Sequence, residues 1–214
     1  VVKMIAKEHL QVLIATPTFA RTYVNVAKES ALDSLRLVIL GGEKLTDAVQ
    51  DQLAVALPNA HILQGYGCTE LGPVVAINVP DIQHGGLLHR GYCKGSVGKP
   101  IPGVSIRIVE REGNAELGID EEGLILVKSA SRMQGYYGDA DLTKSVMRDD
   151  WYVTGDIGKL DKHGFLHITD RMARFSKIGG EMVPHGKVEA AVEALVASDA
   201  AVAVVAISDA AKGE

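Results

Sequence analysis

Residues 35–58, LRLVILGGEKLTDAVQDQLAVALP, decide the fold of the first part of the chain. An apolar strand, LRLVIL, runs into Gly41-Gly42 and gives way to a helix. Thr46 stands at the N-cap, where its hydroxyl can take a first-turn N–H, and Asp47 adds negative charge to the first turn. Val49, Leu53 and Leu57 fall on one face, and Pro58 closes the helix. The same alternation continues outward in both directions. Upstream, VVKMIAKEHL (1–10) has helical spacing, VLIAT (12–16) reads as a short buried strand, and Thr18 to Glu29 as a helix. Downstream, HIL (61–63) and VVAIN (74–78) are strand candidates. Strand, helix, strand, helix over residues 1–80 predicts an α/β unit built on a parallel sheet with crossover helices.

From residue 81 the texture changes. Glycine and proline become dense, and VSIRIV (104–109) alternates strictly, with Val104, Ile106 and Ile108 facing one way and Ser105 and Arg107 the other. GLILVK (123–128) and GFLHI (164–168) are further strands, separated by acidic turns such as GIDEEG. Residues 81–169 therefore read as a small antiparallel β-barrel or sandwich. From residue 170 onward comes a third unit of α+β character: a basic, glycine-containing stretch RMARFSKIGG, a helix over 185–197 with Val188, Ala191, Val192 and Leu195 in a stripe, and a strand over 201–207.

A chain of 214 residues with 47% hydrophobic content can bury a substantial core, which excludes a disordered polypeptide. A net charge of -5 carries no basic footprint for nucleic acid. The two cysteines, Cys68 and Cys93, do not form a CxxC pair and are too few for a disulfide scaffold, so a reducing, cytoplasmic setting fits. No apolar run approaches the roughly 20 residues of a membrane helix. Small molecules and proteins are the expected partners. The chain begins at Val1 without a signal pattern and ends in ISDAAKGE directly after an apolar run, which reads as a segment cut from a longer protein.

Four stretches could carry chemistry. GYGCTELGP (65–73) follows a strand in an α/β sheet, where ligands bind. Its glycines let backbone approach a ligand, Thr69 offers a hydroxyl to an anion, and Glu70 could hold a hard cation such as Mg²⁺. The bland reading, a glycine-rich connection with an exposed glutamate, stands beside it at even odds. WYVTGDIG (151–158) places Asp156 after a glycine, where its carboxylate could take two sugar hydroxyls; an ordinary Asp turn is the competing reading. Gly41-Gly42 could bring backbone against a flat ring, and Arg171, Arg174 and Lys177 could serve a polyphosphate or simply be solvated.

Taken together and in order, GGEKL, GYGCTELGP, GSVGKPIPGV, GLILVKS…MQGYYGD, WYVTGDIGKLDKHGFLHITDR and KIGGEMV resemble the signature motifs of the adenylate-forming superfamily. That superfamily includes acyl-CoA synthetases, luciferases and peptide-synthetase adenylation domains. The resemblance implies ATP-dependent activation of a carboxylic acid to an acyl-adenylate, followed by transfer of the acyl group to a thiol. It implies that Tyr66 stacks on adenine with Gly41, Gly42 and Gly67 close by, that Thr69 touches the α-phosphate, and that Glu70 holds Mg²⁺. Asp156 would bind the ribose hydroxyls, and Arg171 would also contact the ribose, just before a hinge to a mobile C-terminal domain. Lys177 would face the adenylate only in the thiol-transfer orientation, and KIGGEMV would line the thiol's tunnel.

Within the superfamily, FSKIGGEMV and ISDAAKGE most resemble the synthetase part of bifunctional 2-acylglycerophosphoethanolamine acyltransferase/acyl-[acyl carrier protein] synthetases. That implies a fatty acid substrate, acyl carrier protein as acceptor, and a parent at the cytoplasmic face of the bacterial inner membrane. An acyl-CoA synthetase using coenzyme A is the alternative, and a noncatalytic nucleotide-binding or interaction module is the alternative of another class. The family's usual charged hinge residue is replaced by Ala173, and Lys187 stands where the family tends to have an acid. The upstream phosphate loop and the downstream catalytic lysine are absent from these 214 residues, so the segment alone is expected to be inactive.

Overall fold

The structure is a computed structural model and describes residues 1–28, 30–178, 181–196, 202–205 and 207. After α1 (Val2–Glu8), three strands lie side by side and parallel: β1 (Val12–Ala15), β2 (Leu37–Leu40) and β3 (His61–Gly67). The connecting helices are α2 (Pro17–Val26) and α3 (Asp47–Ala56). Each starts at a threonine cap: Thr16 Oγ1 accepts from the Phe19 N–H and Thr46 Oγ1 from the Val49 N–H, both at 3.4 Å. Val38, Leu40 and Ile62 form one core with Ile5, Ala20 and Leu53 of the three helices. Val12 and Ile14, alternating with Leu13 and Ala15, point away from that core, and Ile14 is 75% exposed.

The sheet continues differently from the all-parallel arrangement read in the sequence. β4 (Val74–Ile77) pairs with β3 antiparallel, because the connection 68–73 is far too short for the crossover of a dozen or more residues that a parallel partner needs. After an exposed hairpin of β5 (Ile82–His84) and β6 (Leu87–His89), β7 (Lys99–Pro100) joins β4 and completes the order β1-β2-β3-β4-β7.

A second, wholly antiparallel sheet follows, made of β8 (Val104–Val109), β9 (Gly123–Ser129), β10 (Met147–Arg148), β11 (Trp151–Leu160) and β12 (Leu166–Arg171), with α4 (Ala140–Ser145) before β10. Its order is β10-β11-β9-β8, with β12 pairing the second half of β11. β8 shows the expected alternation, Ser105 and Arg107 being exposed. β9 does not alternate because both its faces are covered. Ile125 and Val127 join a core with Leu71, Val75 and Leu166, while Leu124 and Leu126 join another with Val109 and Ile157. An uninterrupted LILV run is what such burial requires.

Met172 to Arg174 form a single 3-10 turn, followed by the hairpin β13 (Phe175–Ile178) and β14 (Glu181–Pro184) and by α5 (His185–Glu193). Gly179 and Gly180 of KIGGEMV lie outside the described residues. α5 stops short of the expected end at Ala197, itself outside the described residues, and Leu195 in its stripe is 86% exposed. The strand expected over 201–207 is not formed at residues 202–205. No strand among the described residues runs beside them, and the Val204 N–H instead donates to the Glu189 carboxylate at 2.9 Å. Among the described residues, no helix is long and apolar enough to cross a membrane.

Candidate functional site

β3 carries the motif glycines, and the last of them fixes the path of the loop. A Cβ on Gly67 would stand 1.7 Å from the Pro73 carbonyl oxygen, so no other residue fits where β3 and β4 close on one another. Thr69 to Leu71 then form one 3-10 turn that ends at Gly72, whose φ of 77° is the left-handed conformation glycine tolerates. Leu71 is fully buried in the core beneath and anchors the turn. The Thr69 side chain is left at the surface.

The turn is also clamped from the 131–136 segment. The Met133 N–H donates to the Glu70 carbonyl at 2.8 Å, the Ser131 hydroxyl to the Leu71 carbonyl at 2.7 Å, and the Tyr136 hydroxyl to Glu70 Oε1 at 2.9 Å. Glu70's own backbone N–H and the Tyr136 hydroxyl hold its carboxyl below the ordinary glutamate range, so it is an anion at neutral pH. Burial, reinforced by that carboxylate, pushes the Cys68 thiol up to about 12. Tyr152, raised chiefly by burial and also by the Tyr136 hydroxyl, remains a neutral phenol. A cleft of about 740 Å³ opens beside Tyr136, running from Gln134 to Met147.

Asp156 reaches the same place through a bulge. Along β11, Val153 pairs with Leu126 and Ile157 with Leu124, so Thr154, Gly155 and Asp156 face the single residue Ile125. The displaced stretch is held by the Thr154 hydroxyl, which donates to the Ile125 carbonyl at 2.9 Å and accepts from the Asp156 N–H at 3.0 Å. Such a bulge re-aims a side chain. The Asp156 carboxylate, 9% exposed, accepts from the Tyr66 hydroxyl at 2.5 Å on one oxygen and from Arg171 Nε at 2.9 Å on the other. Arg171 is the direct cross-strand neighbour of Asp156 on β12, and with 69% of its side chain exposed it is easily redirected. Burial first, and the Asp156 charge second, raise the Tyr66 phenol, which stays a donor.

Gly41 and Gly42 follow β2. The Gly41 N–H donates to the Ala15 carbonyl at 3.2 Å, and a Cβ there would touch the Gly65 carbonyl at 3.4 Å, so the backbones of β2 and β3 run close together toward the motif. Glu43 accepts from both the hydroxyl and the N–H of Thr18, at 2.7 and 3.2 Å, tying the 16–19 segment to this loop.

Of the residues singled out in the sequence, Tyr66, Asp156 and Arg171 thus meet directly. Glu70 joins them through the loop that carries Tyr66 and Cys68, and Gly41 lies against that loop's strand. Lys177 lies on β13 opposite Met182; its side chain falls outside what is described. Tyr136, Ser131 and Thr154 were missed. MQGYYGD stood out as a pattern, but nothing in local spacing says which tyrosine reaches a glutamate 66 positions earlier.

The donor set suits a nucleotide and a hard cation. Glu70 supplies an ionised oxygen and Thr69 a free hydroxyl, the oxygen ligands Mg²⁺ takes beside phosphate, and glycine backbone lies next to an aromatic ring.

A family model described as AMP-binding enzyme matches residues 1–137. A long-chain-fatty-acid--CoA ligase of Yersinia pestis is 32% identical over 216 residues, covering 100% of this chain and 36% of the relative. The 4-coumarate--CoA ligase 3 of Oryza sativa subsp. japonica is 32% identical over 160 residues, 74% of this chain and 28% of the relative. Among solved structures, ATP-bound MatB from Rhodopseudomonas palustris superposes with a TM-score of 0.74 at 29% identity, over 90% of this chain and 37% of that one. The o-succinylbenzoate CoA synthetase MenE of Bacillus subtilis, in complex with its acyl-adenylate intermediate, shares the fold with a TM-score of 0.76 at 24% identity, over 98% of this chain and 40% of that one. The chain spans about a third of the length of the curated relatives it matches.

Proposed function

The chain belongs to the AMP-binding enzyme family, and from that premise we propose that it carries the nucleotide-binding part of a ligase that activates a fatty acid with ATP to acyl-AMP and passes the acyl group to coenzyme A. The observation that carries the reading is the meeting of Tyr66, Asp156 and Arg171 beside the clamped Glu70 loop. Asp156 exchanges its Tyr66 and Arg171 partners for two ribose hydroxyls, an exchange its four lone-pair sites permit. The Tyr66 ring and the Gly41–Gly42 backbone flank the adenine, and Thr69 donates to the α-phosphate. Glu70, fixed by Tyr136 and its own N–H, holds Mg²⁺, which when bound supplies neutralising charge to the phosphates. Adenylyl transfer depends on such positioning and electrostatics more than on covalent help from the protein. Lys177 serves the thiol-transfer step within the same proposal, which also divides the chain into units at residues 80 and 169.

Coenzyme A is favoured over acyl carrier protein because relatives at 32% identity are named as CoA ligases of long-chain fatty acids. The test is thioester formation by the protein carrying this chain, given ATP, Mg²⁺ and palmitate with either acceptor. Formation of palmitoyl-CoA supports the assignment. Loading of carrier protein alone moves the acceptor to that class, and no thioester with either acceptor overturns the proposal.

A further inference from the structure

We propose that Cys93, Asp161 and His167 form a binding site for one divalent ion of the zinc class, apart from the nucleotide site. Cys93 lies in the loop before β7, Asp161 at the turn between β11 and β12, and His167 on β12. One ligand atom from each lies within 4.8 Å of the other two, and all three residues are half-buried. A tetrahedral zinc ion with bonds of about 2.0–2.3 Å holds its ligand atoms about 3.3–3.8 Å apart. Asp161 Oδ2 and His167 Nε2 already stand 3.2 Å apart, so only the thiol has to close in.

The arrangement is prepared in two further ways. Asp161 Oδ1 accepts the His163 and Phe165 N–H groups at 2.8 and 3.0 Å, which fixes the carboxylate and leaves its other oxygen toward the cluster. Cys93 is placed by its backbone N–H, which donates to Asn78 Oδ1 at 2.9 Å, while its thiol donates to the Lys94 carbonyl at 3.7 Å, a proton that binding as a thiolate would release. Thiolate, imidazole and carboxylate together match zinc and its borderline neighbours, whereas magnesium and calcium prefer oxygen alone. The Asp161 and His167 side chains are 17% and 22% exposed, which leaves a fourth position for water.

A bound ion would clip the 91–98 loop to β12. The two are already laced together by the Val97 N–H to the Leu166 carbonyl and the Leu166 N–H to the Gly98 carbonyl, both at 2.8 Å. β12 ends at Arg171, so the clip would steady the strand that presents Arg171 to Asp156.

The test is titration of the protein with Co²⁺, read by absorption. The expected result is saturation at one equivalent with tetrahedral ligand-field bands and a thiolate-to-cobalt charge-transfer band. The charge-transfer band should vanish in Cys93→Ser and survive in Cys68→Ser, and His167→Gln should weaken binding at least about tenfold, since loss of even an outer-shell partner costs that much. Zn²⁺ should raise the melting temperature of the wild type but not of Cys93→Ser. Absence of the charge-transfer band in the wild-type protein, or its loss in Cys68→Ser instead, would overturn the proposal whatever the other variants do.

Discussion

Substituting Gly67 with alanine adds one methyl group to the loop that carries Glu70, and its cost follows from the distances. The new Cβ meets the Pro73 carbonyl oxygen at 1.7 Å, the Pro73 carbonyl carbon at 2.8 Å and Val74 Cα at 3.0 Å. All three are backbone atoms, so no rotamer change relieves the clash. Restoring an ordinary carbon–oxygen contact of about 3.3 Å needs a shift of about 1.6 Å where β3 and β4 pair. Overpacking strain of about 1–3 kcal/mol, with one or two strained ladder hydrogen bonds at about 1 kcal/mol each, gives a loss of about 3 kcal/mol. The internal control lies two residues away. A Cβ on Gly65 meets Ala76 O at 3.4 Å and Ile77 Cγ1 at 3.6 Å, ordinary contacts, and its φ is not positive. Gly65→Ala should therefore stay within about 1 kcal/mol of wild type. Urea unfolding measures both. Binding of an acyl-adenylate analogue should fall about a hundredfold in Gly67→Ala, the usual consequence of moving a catalytic loop by more than an ångström. Equal stability of the two variants would refute the reasoning.

Leu71→Ala should cost about 2–5 kcal/mol in the same unfolding assay, because the side chain is fully buried and its loss leaves a cavity under the 3-10 turn. The thiol of Cys68 should resist iodoacetamide at pH 8, and Glu70→Gln should speed the alkylation of Cys68 by removing the neighbouring charge; peptide mass mapping follows the modified residue. The depressed Glu70 carboxyl contributes stability above its unfolded value near pH 4.3, lost as pH falls through its lower folded value. Melting temperatures followed from pH 7 to pH 3 should thus show less acid sensitivity in Tyr136→Phe than in wild type, whereas an unchanged profile would mean that the Tyr136 contact does not hold the charge.

Much of the α/β unit was legible because its signals are local. Thr46 as a cap, Asp47 in the first turn and Pro58 at the end mark α3 without reference to anything distant; in the second sheet the LILV run was legible as a strand, and its cover on both faces only from the structure. The sheet's direction was not legible in the same way, since a parallel reading of β4 ignored the short loop 68–73. At the site, Glu70 and Asp156 could be picked out as candidates because a carboxylate beside glycines after a strand carries a chemical meaning of its own, whereas Tyr66 and Arg171 gained their adenine and ribose roles only from the resemblance of the ordered motifs. Tyr136, Ser131 and Thr154 could not be picked out. They act through contacts across 29 to 66 positions, and a serine or threonine in a β segment looks the same whether it faces water or props up a carboxylate. The bulge that aims Asp156 was hidden for a related reason: TGD reads as a turn, and only the partner strand shows that the extra residues face Ile125.

The most direct test of the central claim is fatty-acid-dependent exchange of pyrophosphate into ATP by the protein carrying this chain, across acids of increasing chain length, beside Asp156→Ala. The account predicts exchange that depends on the acid and falls by at least about a hundredfold when Asp156 no longer orients the nucleotide. Exchange that is absent with every acid, or undiminished in Asp156→Ala, would contradict it.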